Sequence, residues 1–120
     1  MELIKVLGAK NVLESLSDRE DISASLSYWM TKFVIECETE YNFYCTEMQK
    51  LIDKYKDPNA KGEVKIAEDK QAEFAAEIEK LEKMDVEAPK IRFPLSEIAG
   101  ELKLSMKQIY PLMDFIEETK

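Results

Sequence analysis

The chain has 120 residues, of which 45% are hydrophobic and 35% charged, and its formal net charge at pH 7 is −8. This composition excludes an intrinsically disordered chain and predicts one globular domain over residues 1–120, with a core of modest size. The acidic balance argues against direct nucleic-acid binding, because a phosphate backbone attracts clustered Lys and Arg.

The first twenty residues predict short elements. Residues 2–7 resemble a strand or an extended segment that ends at Gly8, and residues 10–16 suit one or two helical turns. Ser17 and Glu20 have the spacing of a capping box, in which each side chain bonds to the backbone of the other residue. We therefore expect a helix to begin at about residue 18.

An apolar stripe then dominates the chain, with steps of three and four residues only. This spacing predicts a nearly straight, uninterrupted helix over about residues 18–56, roughly 50 Å long. A rod of that length is typical of a scaffold or contact protein rather than of an enzyme with a pocket. The stripe consists of Ile22, Leu26, Met30, Phe33, Cys37, Tyr41, Tyr44, Met48, Leu51 and Tyr55.

A second helix follows a strong stop signal. Pro58 and Gly62 favour a turn over residues 57–62, and Val64 and Ile66 suit a short extended segment. The next helix, over about residues 68–84, carries its apolar side chains on one face. Two amphipathic helices with a short connection predict an antiparallel hairpin, although the second helix covers only part of the first.

The remainder predicts a strand–helix unit over about residues 90–118. Alternation at Ile91, Phe93 and Leu95, and again at Leu102 and Leu104, is typical of short strands. A second capping box, from Ser105 to Gln108, opens a last helix that Pro111 should kink. Its inward residues would be Ile109, Leu112, Met113 and Ile116. The predicted fold class is mainly α (α+β): a long antiparallel helical hairpin with small extended segments and a C-terminal helix.

The residue inventory points away from catalysis. The chain has no His, which is the commonest general base and metal ligand, and its three Gly residues are too scattered for a phosphate loop. The acidic pairs Glu36–Glu40 and Glu73–Glu77 have the spacing of a solvated helical face more than of a cation site. We expect no catalytic residue, no cofactor and no metal, and hence no enzyme.

The two cysteines and the hydropathy pattern indicate the cellular compartment of the protein. Cys37 and Cys45 would lie roughly 12 Å apart on one helix, beyond the reach of a disulfide, so reduced thiols are expected. The first residues lack the pattern of a secretory leader, and no apolar run is long enough to cross a membrane. These features favour a cytoplasmic protein with no membrane partner.

The long helix avoids charge on a second side as well, opposite the stripe. Thr31, Thr39 and Thr46 lie there, with Lys32 as the one charged residue. Either the N-terminal segment and the C-terminal strands cover this side, or it binds a second copy or another protein. Under the second interpretation its anchors and partner-binding residues are Tyr28, Trp29, Ile35, Asn42 and Phe43.

Several segments together resemble a known family. They are Lys10-Asn11-Val12-Leu13-Glu14-Ser15-Leu16, Lys50-Leu51-Ile52-Asp53-Lys54-Tyr55, Leu104-Ser105 and Phe115-Ile116-Glu117-Glu118. In order and spacing the chain resembles a family of short uncharacterised proteins, a domain of unknown function, from tailed phages and prophages of Gram-positive bacteria. The resemblance implies a phage origin, expression in the cytoplasm of the bacterial host cell, and a role in virion assembly or host interaction.

The expected function is therefore that of a non-enzymatic, phage-encoded protein-binding module that acts through its long helix. Its partner would be a phage structural protein, a host protein or, in a homodimer, a second copy. One alternative is an acidic inhibitor of a host defence nuclease or another nucleic-acid-binding protein. Another alternative is a chaperone of phage tail or head assembly.

Overall fold

The computed structural model describes residues 1–59, 62 and 64–117, and it confirms a mainly helical α+β fold. Four helices form the first two thirds of the chain, and a 3₁₀ turn over Glu68–Lys70 leads into the fourth. Their bounds are Leu3–Ser15 (α1), Ala24–Glu36 (α2), Glu38–Tyr55 (α3) and Gln71–Glu82 (α4).

The last third consists of short elements. Two strands of two residues each pair in parallel, with Phe93 opposite Ile116 and Pro94 opposite Glu117. Between the two strands the chain forms two short helices. The first continues into a wider π turn and the second into a tighter 3₁₀ turn. In order these are Phe93–Pro94 (β1), Leu95–Glu97 (α5) with a π turn over Ile98–Leu102, Met106–Ile109 (α6) with a 3₁₀ turn over Tyr110–Phe115, and Ile116–Glu117 (β2).

The expectation of an extended N-terminal segment is wrong, because α1 runs through Gly8 without a break. Only Glu2 is extended, and it forms a single antiparallel bridge with Asp85. The helix is buried on several sides, since it contacts α2, α3, α4 and the Tyr110–Phe115 turn. Burial on several sides explains both the weak periodicity of this segment and its tolerance of Gly8, which costs a helix about 1 kcal/mol relative to Ala.

The predicted uninterrupted helix is wrong at one residue. Cys37 separates α2 from α3, and its N–H donates to the carbonyls of both Phe33 (3.2 Å) and Val34 (3.0 Å). A hydrogen bond from an N–H to the carbonyl three residues earlier is typical of a last helical turn that has tightened to 3₁₀ geometry. Cys37 nevertheless keeps right-handed helical dihedral angles, and Tyr41 N–H donates to its carbonyl at 2.9 Å. The stripe therefore continues from one helix to the next.

The predicted helix start is also wrong. Residues 18–23 form turns and bends, and Ser23 caps α2 by accepting the N–H of Leu26 at 3.2 Å. Arg19 explains the difference, because its guanidinium bonds to Asp21 (2.8 Å) and to the Leu102 carbonyl (2.7 Å). These bonds fix the segment against the C-terminal unit in a conformation that a helix could not adopt.

The antiparallel hairpin is present, formed by α3 and α4. At its far end an antiparallel bridge joins Lys56 to Ile66, and the rings of Tyr55 and Phe74 meet edge to face at 6.0 Å. The expected turn over 57–62 includes Ala60 and Lys61, which lie outside the described residues. We call α3 and α4 the arm.

In the C-terminal unit the strand prediction holds only for Phe93, since Leu102 lies in the π turn and Leu104 in neither strand. Pro111 converts the last helix into a 3₁₀ turn, which has three residues per turn. Leu112 and Phe115 consequently point inward, three residues apart, whereas Met113, expected inside, is 60% exposed. The predicted unit ends at Glu118, which lies outside the described residues.

The larger core joins α1, α2 and the C-terminal unit, which together we call the body. Its centre is an aromatic cluster in which the Phe33 ring lies 5.7 Å from that of Phe93 and 4.8 Å from that of Phe115. A smaller cluster connects the body to the arm through Leu3, Leu7 and Leu81. The molecule measures 56 × 29 × 24 Å, so the hairpin makes it distinctly elongated.

Candidate functional site

All five predicted partner-binding residues lie on the outer side of α2 and α3. The inner side of α2 buries Leu26, Met30 and Phe33 in the body. Because a helix turns about 100° per residue, Tyr28, Ile35 and Asn42 lie opposite these positions, with Phe43 and then Trp29 towards one edge. We use the name outer face for the surface formed by Tyr28, Trp29, Lys32, Ile35, Thr39, Asn42 and Phe43.

The structure leaves the outer face uncovered. Tyr28 is 56% exposed, Trp29 48%, Ile35 53% and Phe43 38%, and Asn42 is exposed as well. The interpretation in which the N-terminal segment and the C-terminal strands cover this side is therefore wrong. The N-terminal segment is instead part of α1, which packs on α2 and α3, and the C-terminal unit packs in the core on the inner side of α2.

The two aromatic residues of α2 form a local pair. The rings of Tyr28 and Trp29 lie 5.3 Å apart at 80°, which is the edge-to-face arrangement that aromatic quadrupoles favour. Aromatic side chains with restricted motion offer a large contact area at little entropic cost, and they dominate the energetics of protein interfaces. The pair has the properties of an interface anchor.

Charge is sparse on the outer face. Lys32 is its one cation, and Glu36, four residues later, lies between Phe43 and Trp29 around the helix. A carboxylate oxygen of Glu36 accepts the backbone N–H of Lys90 at 3.0 Å, so the Glu87–Lys90 segment lies beside Glu36 and Thr39. The hydroxyl of Thr31, which lies next to the outer face, donates to the Ser27 carbonyl at 2.9 Å. The hydroxyl proton of Thr31 is therefore hydrogen-bonded within the helix.

Behind the outer face, a buried lysine joins α1 to the α2–α3 junction. Lys10 is 3% exposed, pairs with Glu14 at 2.7 Å, and places its ammonium nitrogen 3.9 Å from the centre of the Tyr41 ring. An ion pair and a cation–π contact together compensate for taking this charge out of water. The contact fixes α3 to α1 close to Cys37.

The two cysteines have opposite environments. Cys37 is fully buried, and its burial, together with the charge of Glu40, raises the pKa of the thiol to about 12. A thiol with so high a pKa stays protonated and unreactive at neutral pH. Cys45 is exposed on α3, where a hydrogen bond with it raises the pKa of the Tyr41 hydroxyl. Neither thiol is in a disulfide.

A second apolar surface was missed by sequence reasoning. A cavity of about 390 Å³ lies between α1 and the Tyr110–Phe115 turn, and it is lined by Ile4, Gly8, Tyr110 and Met113. Tyr110 is 82% exposed and Met106, four residues earlier, is 89% exposed. The spacing of Met106, Tyr110 and Met113 at i, i+4 and i+7 is the signal that could have revealed it.

The acidic residues that the structure describes do not assemble into a metal site. Within residues 1–59, 62 and 64–117, no three His, Cys, Asp or Glu side chains are placed to hold a metal ion. Two of the four Glu of α4 are paired with bases, since Glu77 pairs with Lys80 (3.7 Å) and Glu79 with Lys83 (2.6 Å). Lys83 holds the pKa of the Glu79 carboxyl below its ordinary value. The α4 surface stays net acidic, with two of its carboxylates paired.

Comparisons with protein-family models, with curated proteins and with solved structures find no match to this chain. The resemblance to a phage family stays a prediction from the quoted segments. Among the described helices, none is both long and apolar enough to cross a membrane. Any functional argument therefore depends on the residues of this chain alone.

Proposed function

We propose that this protein is a non-enzymatic protein-binding module whose contact surface is the outer face. One observation carries the proposal: four large hydrophobic side chains stay exposed on one side of α2 and α3. Scattered exposed hydrophobic residues are ordinary, but a continuous apolar surface with a polar border is typical of an interface.

The geometry favours this function over a small-molecule site. The outer face is convex and belongs to two consecutive helices, whereas small ligands bind in concave, mostly enclosed pockets. Tyr28 and Phe43 are separated by fifteen residues of nearly continuous helix, or about 22 Å. A surface of this length suits a helix or sheet of another polypeptide.

The experiment is affinity capture from bacterial lysate, with each captured protein then purified and its affinity for the chain measured. Wild type is compared with a Trp29→Ala, Phe43→Ala double variant. The matched control is Val64→Ala, because Val64 is 71% exposed but lies outside the outer face. We expect the double variant to lose about 100-fold or more in affinity, as for two interface anchors, and the control to lose none.

The acidic-inhibitor alternative makes a different prediction for the same binding assay. Its affinity would fall steeply with ionic strength and would depend on Glu73, Glu77 and Glu82. Binding that survives Trp29→Ala with Phe43→Ala, yet fails when these three acids become Lys, would contradict the proposal. The helix α4 carries more Glu than Lys, but Glu77 pairs with Lys80 and Glu79 with Lys83, which reduces the charge available to a basic partner.

A further inference from the structure

We infer that the cavity between α1 and the Tyr110–Phe115 turn binds a small zwitterionic molecule with a flat apolar body, of the chemical class of the free aromatic amino acids. The inference concerns a surface that the proposed function does not use. It rests on the size of the cavity, on the bare helical wall at Gly8, and on two opposite charges at the opening.

The volume and lining of the cavity suit a molecule of two fused rings. The volume is about 390 Å³, within the range of about 300–1,000 Å³ that is usual for small-molecule sites. An apolar protein cavity of about 150 Å³ is already large enough to bind benzene. Ile4, Pro111 and Met113 supply an apolar lining, and the Tyr110 ring adds an aromatic surface on which a flat ring can pack.

The length of the cavity favours a compact molecule over a helix of another protein. Its α1 wall extends from Ile4 to Gly8, a single helical turn of about 6 Å. A helix that docks in a groove uses anchors at i, i+4 and i+7, which extend over about 10 Å. The cavity therefore has room for one anchor of such a helix, or for one small molecule as a whole.

Gly8 leaves one wall of the cavity bare. It lies inside the continuous helix α1, where glycine is less stable than alanine. Packing does not require glycine, because a Cβ atom at this position would lie 3.7 Å from Cβ of Pro111, which is an ordinary contact. The effect of glycine is thus open space in front of Pro111. A position that gives up stability beside a cavity is typical of a functional site.

Two opposite charges lie at the opening of the cavity. Lys5 comes from α1 and Asp114 from the turn, and both are exposed residues that line the cavity. Within the described part of the chain, neither side chain forms an ion pair or a hydrogen bond, with the other or with a third residue. A molecule with one ammonium and one carboxylate group can pair with both, whereas a singly charged molecule leaves one of them unpaired. The charges therefore favour a zwitterion.

The experiment compares four ligands that share an indole ring and differ in charge. L-tryptophan carries both charges, tryptamine only the ammonium, indole-3-propionate only the carboxylate, and indole neither. Each is titrated into the full chain while backbone amide NMR shifts are recorded. We expect L-tryptophan to bind with a Kd of about 0.5 mM, as its size predicts, and each missing charge to weaken binding about fivefold. The shifts should centre on Gly8 and on the Tyr110–Phe115 turn.

Two substitutions at exposed positions assign the charges. Lys5→Gln should weaken L-tryptophan and indole-3-propionate about fivefold and leave tryptamine and indole unchanged. Asp114→Asn should weaken L-tryptophan and tryptamine by a similar factor and leave the other two unchanged. The matched control is Lys107→Gln, because Lys107 is exposed in the same C-terminal unit but does not line the cavity. It should change none of the four affinities.

Substitutions of Gly8 test the bare wall. Gly8→Ala should raise the midpoint of thermal unfolding, because alanine favours the helix, and it should weaken L-tryptophan binding. Gly8→Leu places a branched side chain in the cavity and should abolish the shifts caused by all four ligands. Circular dichroism establishes that each variant retains its helices. Full binding by a folded Gly8→Leu variant would place the ligand outside the cavity.

Three further outcomes overturn the inference. Absence of shifts with every ligand at about 10 mM, about twenty times the expected Kd, excludes a site for this class of molecule. Equal affinities for the four ligands mean that the ring alone is recognised, which contradicts the zwitterion. Shifts centred on the outer face assign the ligand to the other surface. None of these outcomes affects the proposed function, which is tested through Trp29 and Phe43 against another protein.

Discussion

The body and the arm are built from the same amphipathic helix pattern, yet they bury it to different depths. In the body, the stripe residues Leu26, Met30 and Phe33 are almost completely buried, because α1 and the C-terminal unit cover them together. In the arm, Tyr44 and Leu51 are only half-buried, because only the small cluster of Leu3, Leu7 and Leu81 packs against them. A stripe identifies the inward side of a helix, while the size of the cluster that covers it determines how much the burial stabilises.

The largest expected effect is on the body. Phe33→Ala removes the ring that contacts both Phe93 and Phe115, and it should lower the free energy of unfolding by about 3–5 kcal/mol. This is a large part of the stability of an ordinary domain. Urea unfolding followed by circular dichroism measures it, with Phe33→Leu as a control that should lose less than half as much. A loss below about 1 kcal/mol for Phe33→Ala would contradict the central position of this ring.

The arm should respond locally. Leu81→Ala opens a cavity in the small cluster with Leu3 and Leu7 and should cost about 2–3 kcal/mol. Amide hydrogen exchange should accelerate in α4 and the last turns of α3, while the body keeps its protection. The matched variant in the body is Leu13→Ala, which should accelerate exchange throughout the chain. Equal acceleration of arm and body in Leu81→Ala would show that the two unfold as one unit.

The sequence predicted the hairpin and the inward side of the apolar stripe because both follow from local periodicity. Leu26, Met30, Phe33 and Cys37 are buried as the spacing requires. The same reasoning failed for α1, since a helix buried on several sides has no polar face to make its period visible. It also failed at Arg19, whose bond to the Leu102 carbonyl joins residues 83 positions apart.

For the candidate site, too, the sequence predicted what depends on neighbouring residues and not what depends on distant segments of the chain. Periodicity placed Tyr28, Ile35 and Asn42 on the side of the helix opposite the stripe, with Phe43 at its edge, and in the structure these residues and Trp29 are exposed. Whether that side is covered depended on the path of the N-terminal and C-terminal segments, which no local pattern determines. The division at Cys37 was equally hidden, because neither Pro nor Gly marks it.

A smaller effect should appear at alkaline pH, through Cys37 of the body. Its pKa in the folded state, about 12, lies above the ordinary value of 9.0. Between these two values the unfolded chain releases the thiol proton while the folded chain retains it. Stability is therefore complete below about pH 9 and falls as the pH rises, by at most about 1.4 kcal/mol per pH unit from this group.

Two cysteine variants isolate that contribution. Cys37→Ala should flatten the decline in stability between pH 9 and pH 11, whereas Cys45→Ala, at an exposed thiol, should leave the slope unchanged. Urea unfolding at a series of pH values measures both. Iodoacetamide labelling followed by mass spectrometry provides an independent check, since one thiol of the native chain should react and Cys37 should not. An unchanged slope in Cys37→Ala would contradict the assigned environment.

The smallest effect concerns the connection of arm to body through Lys10. Glu14→Gln leaves the buried ammonium with the Tyr41 ring but without its carboxylate, and because Glu14 is half-exposed the cost should be only about 1 kcal/mol. Lys10→Met in the same chain replaces the charge by an apolar side chain of similar length and should recover most of that loss. A double-mutant cycle, measured by urea unfolding, gives the coupling between the two residues. Recovery in the double variant would show that the pair orients α3 on α1 more than it stabilises the fold, whereas further loss would mean that the Lys10–Tyr41 contact itself holds the arm in place.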